Sequence, residues 1–554
     1  MKRSPAVKEL KSRFVSRKRR GFGITALRVI ATMLAGAFSI GLELPASAQV
    51  AAQRLLDSAK EPQNWLMYSG DYAGHRYSTL DQISKSNAAS IVPKWAYQTM
   101  AGGKFETTPL VVDGVLYATG PDDRAFALDA RSGRPIWQYQ RALPPDIRPC
   151  CGRVNRGLAI LGDRVFLGTL DAHVIALDAR TGNPLWDVAA ADHSTGYSIT
   201  LAPLVIKNLV LIGVSGGEYG IRGFIDAYDA ATGTRKWRFY TIPAPGEPGH
   251  ETWEGESWKI GGAPVWITGT YDPPTNTTFW TTGNPAPSNR GEGRAGDNLY
   301  SNSLLALDPD TGKLKWHFQF TKHDEHDYDA TQVPVLVDEG DRHLIMQANR
   351  NGFFYVIDRA SGKLLSATPY GRVTWSNSKD ASGVPIELKE ASPTLTGVPV
   401  CPGALGATNW FSPTYDPQTK LFYVSAREQC DIFSTAPQPY EAGHAFYGSA
   451  YFPNDDAQPF WGAVRAIDPA TSQIKWELRH LSPSWSGVLS TAGGLVFTGD
   501  AEGNFMALDA ATGKILWHFQ CGASVYASPM TYAIDGKQYV AIAAGSTLFT
   551  FGLP

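Results

Sequence analysis

The chain has 554 residues, of which 43% are hydrophobic, 11% aromatic and 18% charged, a globular balance that excludes disordered, collagen-like and polytopic membrane classes. Formal net charge is −2, but residues 1–48 hold ten Lys/Arg against two Asp/Glu, leaving 40 basic against 50 acidic groups beyond them. An acidic body excludes nucleic acid as the expected partner.

The first segment reads as a leader. Residues 1–20 carry nine Lys/Arg, an apolar run from Val29 to Leu42 follows, and Ala46-Ser47-Ala48 is a small-x-small cleavage site. The expectation is a signal peptide over 1–48 and one domain over 49–554, exported to the periplasm. An uncleaved anchor is the alternative, but the run is short for a span and Glu43 closes it. No later segment is expected to enter a bilayer. Export suits five cysteines, Cys150, Cys151, Cys401, Cys430 and Cys521. Their odd number leaves at least one thiol free or paired between chains. No Cys-x-x-Cys-His occurs, so covalent haem is not expected.

Next comes a repeated phrase, apolar-x-Asp-x-x-(Thr/Ser)-Gly-x-x-x-Trp. It reads Asp129…Gly133…Trp137, Asp178…Gly182…Trp186, Asp229…Gly233…Trp237, Asp308…Gly312…Trp316 and Asp509…Gly513…Trp517. Weaker copies sit at Asp358 and Asp468, and Tyr-Asp-Pro turns at Asp272 and Asp416 resemble eroded ones. The step is about 50 residues, which marks a repeat architecture. The flanks alternate as strands do, Asp caps a tight turn, and Gly supplies positive φ. Four-stranded units at this period are propeller blades, and the 506 residues after Ala48 divide into eight at about 63 each. The fold class is therefore all-β, an eight-bladed β-propeller. A β-sandwich array is the alternative, but it has no need of the regular Trp.

Function must come from residues that break the repeat. The densest break is His323-Asp324-Glu325-His326-Asp327-Tyr328-Asp329, seven residues after Trp316. Asp327 and Asp329 face one way on an extended segment, and two carboxylates on one side call for a shared cation. His-x-x-His on such a segment splays its rings, which argues against zinc. Glu218 in Gly216-Gly217-Glu218 and Asn284 in Gly283-Asn284-Pro285 offer the oxygens that a hard cation takes.

These motifs, in this order, resemble the quinoprotein alcohol dehydrogenases, which use pyrroloquinoline quinone (PQQ). The resemblance runs from Trp65-Leu66-Met67-Tyr68 to Gly545-Ser546-Thr547-Leu548. It implies PQQ and a metal ion on the axis of the propeller. It implies Glu218, Asn284 and Asp327 as metal ligands, with Asp327 also the catalytic base and Arg350 a donor to the quinone oxygens. It implies Glu106, Arg156, Thr200, Ser215, Gly217, Trp266 and Asn409 as cofactor contacts, with Trp266 the indole floor. Cys150-Cys151 resembles the family's adjacent-residue disulfide over the cofactor; Cys401 and Cys430 would then pair, leaving Cys521 free. PQQ is a flat tricarboxylate, which suits Arg forks, hydroxyls and stacking faces.

Two departures from the family matter. Asp329 gives an Asp-Tyr-Asp pattern that resembles the lanthanide-dependent branch, because a trivalent ion demands another negative oxygen; calcium is the alternative metal. His326 stands where Trp is common, beside the base, so an effect on substrate choice is expected. Gly262-Ala263-Pro264 also departs from the usual pattern. The implied reaction is oxidation of an alcohol to an aldehyde, with electrons leaving to a separate cytochrome c. A sugar or polyol dehydrogenase and a non-catalytic scaffold are the rival readings. A homodimer and a small second subunit stay open. The chain lacks a long C-terminal insertion, so an open substrate entrance is expected.

Overall fold

The computed structural model describes residues 50–454 and 459–554. The expected leader, 1–48, lies outside them. Among the described residues the chain forms short strands, with only one short α-helix at Ala52–Leu56 and isolated 3-10 turns. No helix there is long and apolar enough to cross a membrane.

Eight sheets of four or five strands follow one another. The second is typical: Leu110–Val112, Val115–Gly120, Arg124–Asp129 and Pro135–Gln140 form an antiparallel meander. Inner strands are buried on both faces, as in Leu209–Gly213, and so read as continuous apolar runs. Outermost strands such as Pro184–Ala189 alternate between exposed and half-buried residues.

The repeated phrase is the hairpin between the third and fourth strands. Asp129 Oδ1 accepts from the Arg131 and Ser132 amides and the Ser132 hydroxyl, and Gly133 closes the turn at φ 71°. The Trp then reaches the next sheet. Trp137 Nε1 donates to Ala179 O at 2.8 Å, and its ring covers Gly182, where a Cβ would lie 2.6 Å from it. Glycine is therefore required twice over, by its φ of 73° and by the ring above it.

These contacts close a ring. Trp95 bonds to Ala130, Trp137 to Ala179, Trp186 to Ala230, Trp237 to Pro309, Trp476 to Ala510 and Trp517 to Ile91, while Trp316 covers Gly362. The remaining link has lost both partners together. Ser366 takes the Trp position, Ser472 takes the Gly position at φ 56°, and their hydroxyls lie 3.4 Å apart. Without the indole there is room for a Cβ in that turn. The ends of the described chain are also sewn together: Val92–Gln98 pairs antiparallel with Thr547–Gly552. The fold is thus an all-β propeller.

Asp272 and Asp416 are not eroded copies of the repeat. Each ends the first strand of its sheet, at Thr270–Asp272 and Thr414–Asp416, and so belongs to a different hairpin. The copy after Asp358 is Asp468, delayed because strands Leu421–Glu428 and Trp461–Asp468 are separated by the excursion 429–460. Within it, Asp431–Phe433 and Tyr451–Pro453 join Val398–Val400 in a separate three-stranded sheet.

Truncating a docking indole by Trp137→Ala should cost about 3–5 kcal/mol in denaturant unfolding. Ser366→Trp alone should destabilise by about 1–3 kcal/mol through overpacking against Ser472, and Ser366→Trp with Ser472→Gly should recover that loss.

Candidate active site

Loops that enter or leave the inner strands converge on one cavity of about 470 Å³. Its wall includes Glu106, Cys150, Cys151, Arg156, Thr200, Ser215, Glu218, Trp266, Asp327, Asp329, Arg350 and Asn409, drawn from loops far apart in sequence. Gly217 and Asn284 are not on that wall. Both lie behind it: a Cβ on Gly217 would stand 3.6 Å from Asn284 Oδ1 and 2.8 Å from Pro264. Gly217 is thus a close-packing residue beside Glu218. A larger groove of about 920 Å³ runs past His75 and Arg359, but its charged groups pair with one another, as in Asp71–His75 at 2.9 Å and Arg359–Asp272 at 3.5 Å.

One wall is built for anionic and flat groups. Arg156 Nη2 lies 2.8 Å from Glu106 Oε2, and Nη1 donates to Thr200 Oγ1 at 2.8 Å. Thr200 and Ser215 hydroxyls are 2.8 Å apart. The guanidinium sits 5.0 Å from the Trp266 ring centroid and 4.9 Å from that of Trp410, held flat between two indoles. Burial pushes the Glu106 carboxyl above its ordinary value, and Arg156 opposes that shift. Cys150 and Cys151 are joined as a disulfide, with their sulfurs and a Glu218 carboxylate oxygen within 4.8 Å of one another. Cys401–Cys430 is the second disulfide, and Cys521 is free, its thiol pushed up to about 12 by burial.

Another part of the wall carries an excess of carboxylates, Asp329 buried and Glu218 and Asp327 half-buried. Arg350 Nη2 lies 2.9 Å from Asp327 Oδ2, and Nη1 lies 2.7 Å from Asp329 Oδ2. Asp329 Oδ1 accepts from the Asn284 amide at 2.8 Å. Glu218 completes three carboxylates against one guanidinium. Burial, then the Asp329 charge, push Glu218 up to about 7. Burial also raises Asp327 well above the ordinary carboxylate range, with Arg350 opposing and Asp329 and Glu218 adding to it. Asp329 is raised chiefly by burial, again against Arg350. Burial works against the charge of Arg350, but the two aspartates outweigh it and hold its pKa above the ordinary value. Asn284 Oδ1 and Asp327 Oδ1 are buried without hydrogen-bond partners. Unpaired oxygens beside surplus carboxylates fit a hard cation.

The loop bearing these aspartates is held by residues that sequence reasoning passed over. Asp327 sits at φ 59°, a left-handed conformation that persists only where surroundings enforce it. Asp324, fully buried, accepts from the His326 amide at 2.9 Å, the Tyr328 amide at 2.7 Å and Asn302 Nδ2 at 3.1 Å. Gln332 Oε1 accepts from the Arg350 amide at 3.1 Å, and Arg350 Nε donates to Ala404 O at 2.8 Å. Asp431, beside Cys430, fixes Ala404 in turn by accepting from its amide at 2.8 Å. His326 does not line the cavity, so an effect on substrate choice would pass through the residues it packs against. It is fully buried, stacked on Tyr328 at 5.2 Å, with Nε2 2.9 Å from Ala391 O.

Residues 447–451, within the excursion between Glu428 and Trp461, form part of the cavity wall. Tyr447, Ser449, Ala450 and Tyr451 line it, and the Phe446 amide donates to Glu218 O at 2.6 Å. Lys104, Leu405, Trp410 and Trp485 were also missed. The one sequence signal for this excursion was the stretched spacing between Asp358 and Asp468.

The family model for the glucose/ethanol/alcohol dehydrogenase beta-propeller domain of PQQ proteins matches residues 65–380 and 379–540. Quinoprotein alcohol dehydrogenase PedH of Pseudomonas putida is 40% identical, over 95% of this chain and 92% of its own length. Quinohemoprotein alcohol dehydrogenase of Comamonas testosteroni is 37% identical, over 93% of this chain and 78% of its own. A solved europium-containing methanol dehydrogenase superposes with a TM-score of 0.87 at 33% identity, covering 90% of this chain and 100% of that one. The chain belongs to the PQQ-dependent alcohol dehydrogenase family.

Because Glu218 holds protons up to about 7, a cation must displace them. Cation affinity should therefore rise as pH increases through that range and level off above it. Calorimetric titration of apoprotein with La³⁺ across pH 5.5–8 checks this, with proton release falling as pH rises.

Proposed function

We propose that this PQQ-dependent alcohol dehydrogenase is a periplasmic enzyme that oxidises an alcohol to an aldehyde with a lanthanide ion at its centre and a separate cytochrome c as electron acceptor. Its eight sheets of four or five strands would be the eight blades, over 49–554, once a leader at 1–48 is removed. The observation that carries the proposal is the pairing, across one cavity, of an Arg156–Glu106–Thr200–Ser215 wall with three carboxylates around Arg350.

The residues fit both groups. Arg156, Thr200 and Ser215 suit carboxylates on a flat ring, Trp266 and the Cys150–Cys151 disulfide offer its two faces a floor and a cover, and Asn409 and Glu106 complete the edge. Glu218, Asn284, Asp327 and Asp329 would hold the cation. Asp329 is what favours a trivalent ion, since it adds a negative oxygen beyond Glu218 and Asp327; calcium remains the second choice. When bound, PQQ would supply the hydride acceptor for the alcohol carbon, and the cation would supply Lewis-acid polarisation.

The chain's own residues do the rest. Asp327 takes the hydroxyl proton on a carboxylate oxygen; its raised affinity for protons suits a general base. Arg350 holds Asp327 and Asp329 in place and donates to oxygen that gains charge during the reaction. Tyr447 and Tyr451 line the cavity, where their rings would limit the space open to bulk water.

Reconstitution tests the proposal: apoprotein with PQQ, ethanol, an artificial acceptor, and La³⁺ or Ca²⁺ separately. Activity with La³⁺ is expected; activity with Ca²⁺ alone would reject the role given to Asp329. Asp327→Asn should bind PQQ, seen by absorbance, yet lose at least about 100-fold in kcat. Asp329→Ala should lose La³⁺-dependent turnover and keep the fold.

A further inference from the structure

Asp327 follows a histidine that has one polar atom left over. His326 Nε2 lies 2.9 Å from Ala391 O, its ring stacks on Tyr328 with centroids 5.2 Å apart, and Phe433 meets it edge-on at 4.9 Å. A carbonyl oxygen only accepts, so Nε2 carries the hydrogen and Nδ1 remains. Nδ1 is buried without a hydrogen-bond partner. Facing it at 3.7 Å is Oε1 of half-buried Glu387, an atom that is itself buried and without a partner. Glu387 ends the hairpin of Ser376–Lys379 and Pro385–Glu387, a two-stranded sheet outside the eight larger ones. The nearby donors are turned elsewhere: Arg294 Nη1 and Nη2 bond to Asn298 and to the carbonyls of Pro287 and Asp324. Burial, then the charges of Glu325 and Asp324, push Glu387 up to about 9 against the pull of Arg294, so it carries a proton at neutral pH.

An unpartnered ring nitrogen and an unpartnered carboxyl oxygen satisfy each other once they close by about 1 Å, a movement that the soft terminal torsion of a glutamate allows. We propose that Glu387 is a positioning residue for Asp327: it bonds to His326 Nδ1 and locks the ring of the residue that precedes the base. The lock matters because Asp327 sits at φ 59°, a conformation that its surroundings must enforce. Asp324 holds the backbone on both sides of Asp327 through the His326 and Tyr328 amides, and the Glu387 bond would hold the preceding side chain. The same ring reaches the excursion, since Phe433 packs at 6.2 Å against Tyr451 of the cavity wall. A group one step behind a base or metal ligand acts on its orientation, and its loss commonly costs about 10–100-fold in activity or metal affinity.

The inference rests on the role given to Asp327 above, and its test separates the two. In enzyme loaded with PQQ and La³⁺, Glu387→Leu should lower kcat for ethanol about tenfold and leave KM within about twofold. Calorimetry should show La³⁺ binding to the PQQ-loaded variant weakened about tenfold, with PQQ affinity, read by absorbance, within about twofold of wild type. Glu387→Gln, whose amide donates to the same nitrogen, should recover kcat and La³⁺ affinity to within about threefold. In a His326→Phe background, Glu387→Leu should cost nothing further. Independently of turnover, the nitrogen NMR resonance of His326 Nδ1, assigned by its loss in His326→Phe, should move in Glu387→Gln. Undiminished kcat and La³⁺ affinity in Glu387→Leu, a Gln variant as impaired as Leu, equal losses in both backgrounds, or an unmoved Nδ1 resonance each overturns the lock and leaves Asp327 as base. Should Glu387→Leu fail to fold, the Gln variant and the resonance decide. Oxidation of no alcohol by the loaded wild-type enzyme overturns the role of Asp327 and, with it, the positioning role of Glu387.

Discussion

An indole laid on the glycine of the neighbouring turn is the contact on which the rest of the molecule depends. Six tryptophans hydrogen-bond to the next sheet and a seventh covers its glycine, so each sheet is placed by the one before it. The pairing of Val92–Gln98 with Thr547–Gly552 then closes the circle covalently distant but spatially adjacent. Such closure leaves few free sheet edges and points the inner loops at one another. The Ser366–Ser472 link shows the logic by exception, because the large residue and the glycine that makes room for it have disappeared together.

A ring of this rigidity makes a costly site tolerable. Buried Asp329 and half-buried Glu218 and Asp327 share a single guanidinium, and their proton affinities rise because removal from water disfavours charge. Left alone, such a cluster would spread apart. Here Asp324, Gln332, Asp431 and the Cys401–Cys430 disulfide hold its loops in position. On the proposed reading a cation among these carboxylates would relieve their repulsion, as in preorganised sites.

The excursion between Glu428 and Trp461 adds a piece of cavity wall that the blade repeat does not supply. It touches Glu218 through the Phe446 amide and the cavity through Tyr447 and Tyr451. The Glu218 loop and this part of the cavity wall are therefore mechanically joined. His326, next to the base in sequence, contributes from behind by packing on Tyr328 and bonding to Ala391, not by meeting substrate.

The sequence by itself determined the repeat, the all-β class and most groups on the cavity wall. Asp, Gly and Trp at fixed offsets act locally, and charged residues that interrupt an apolar repeat are conspicuous without coordinates. Adjacent Cys150 and Cys151 were equally plain. Only the tertiary structure decided what lies across from what. Asp272 and Asp416 look like the repeat but close a different hairpin, because a turn's chemistry does not say which strands it joins. Gly217 and Asn284 proved to lie behind the wall, Asp324 proved to hold the loop, and Asn289 met Tyr447. Those relations run between loops that are distant in the chain, and ring closure, not local preference, sets their separation.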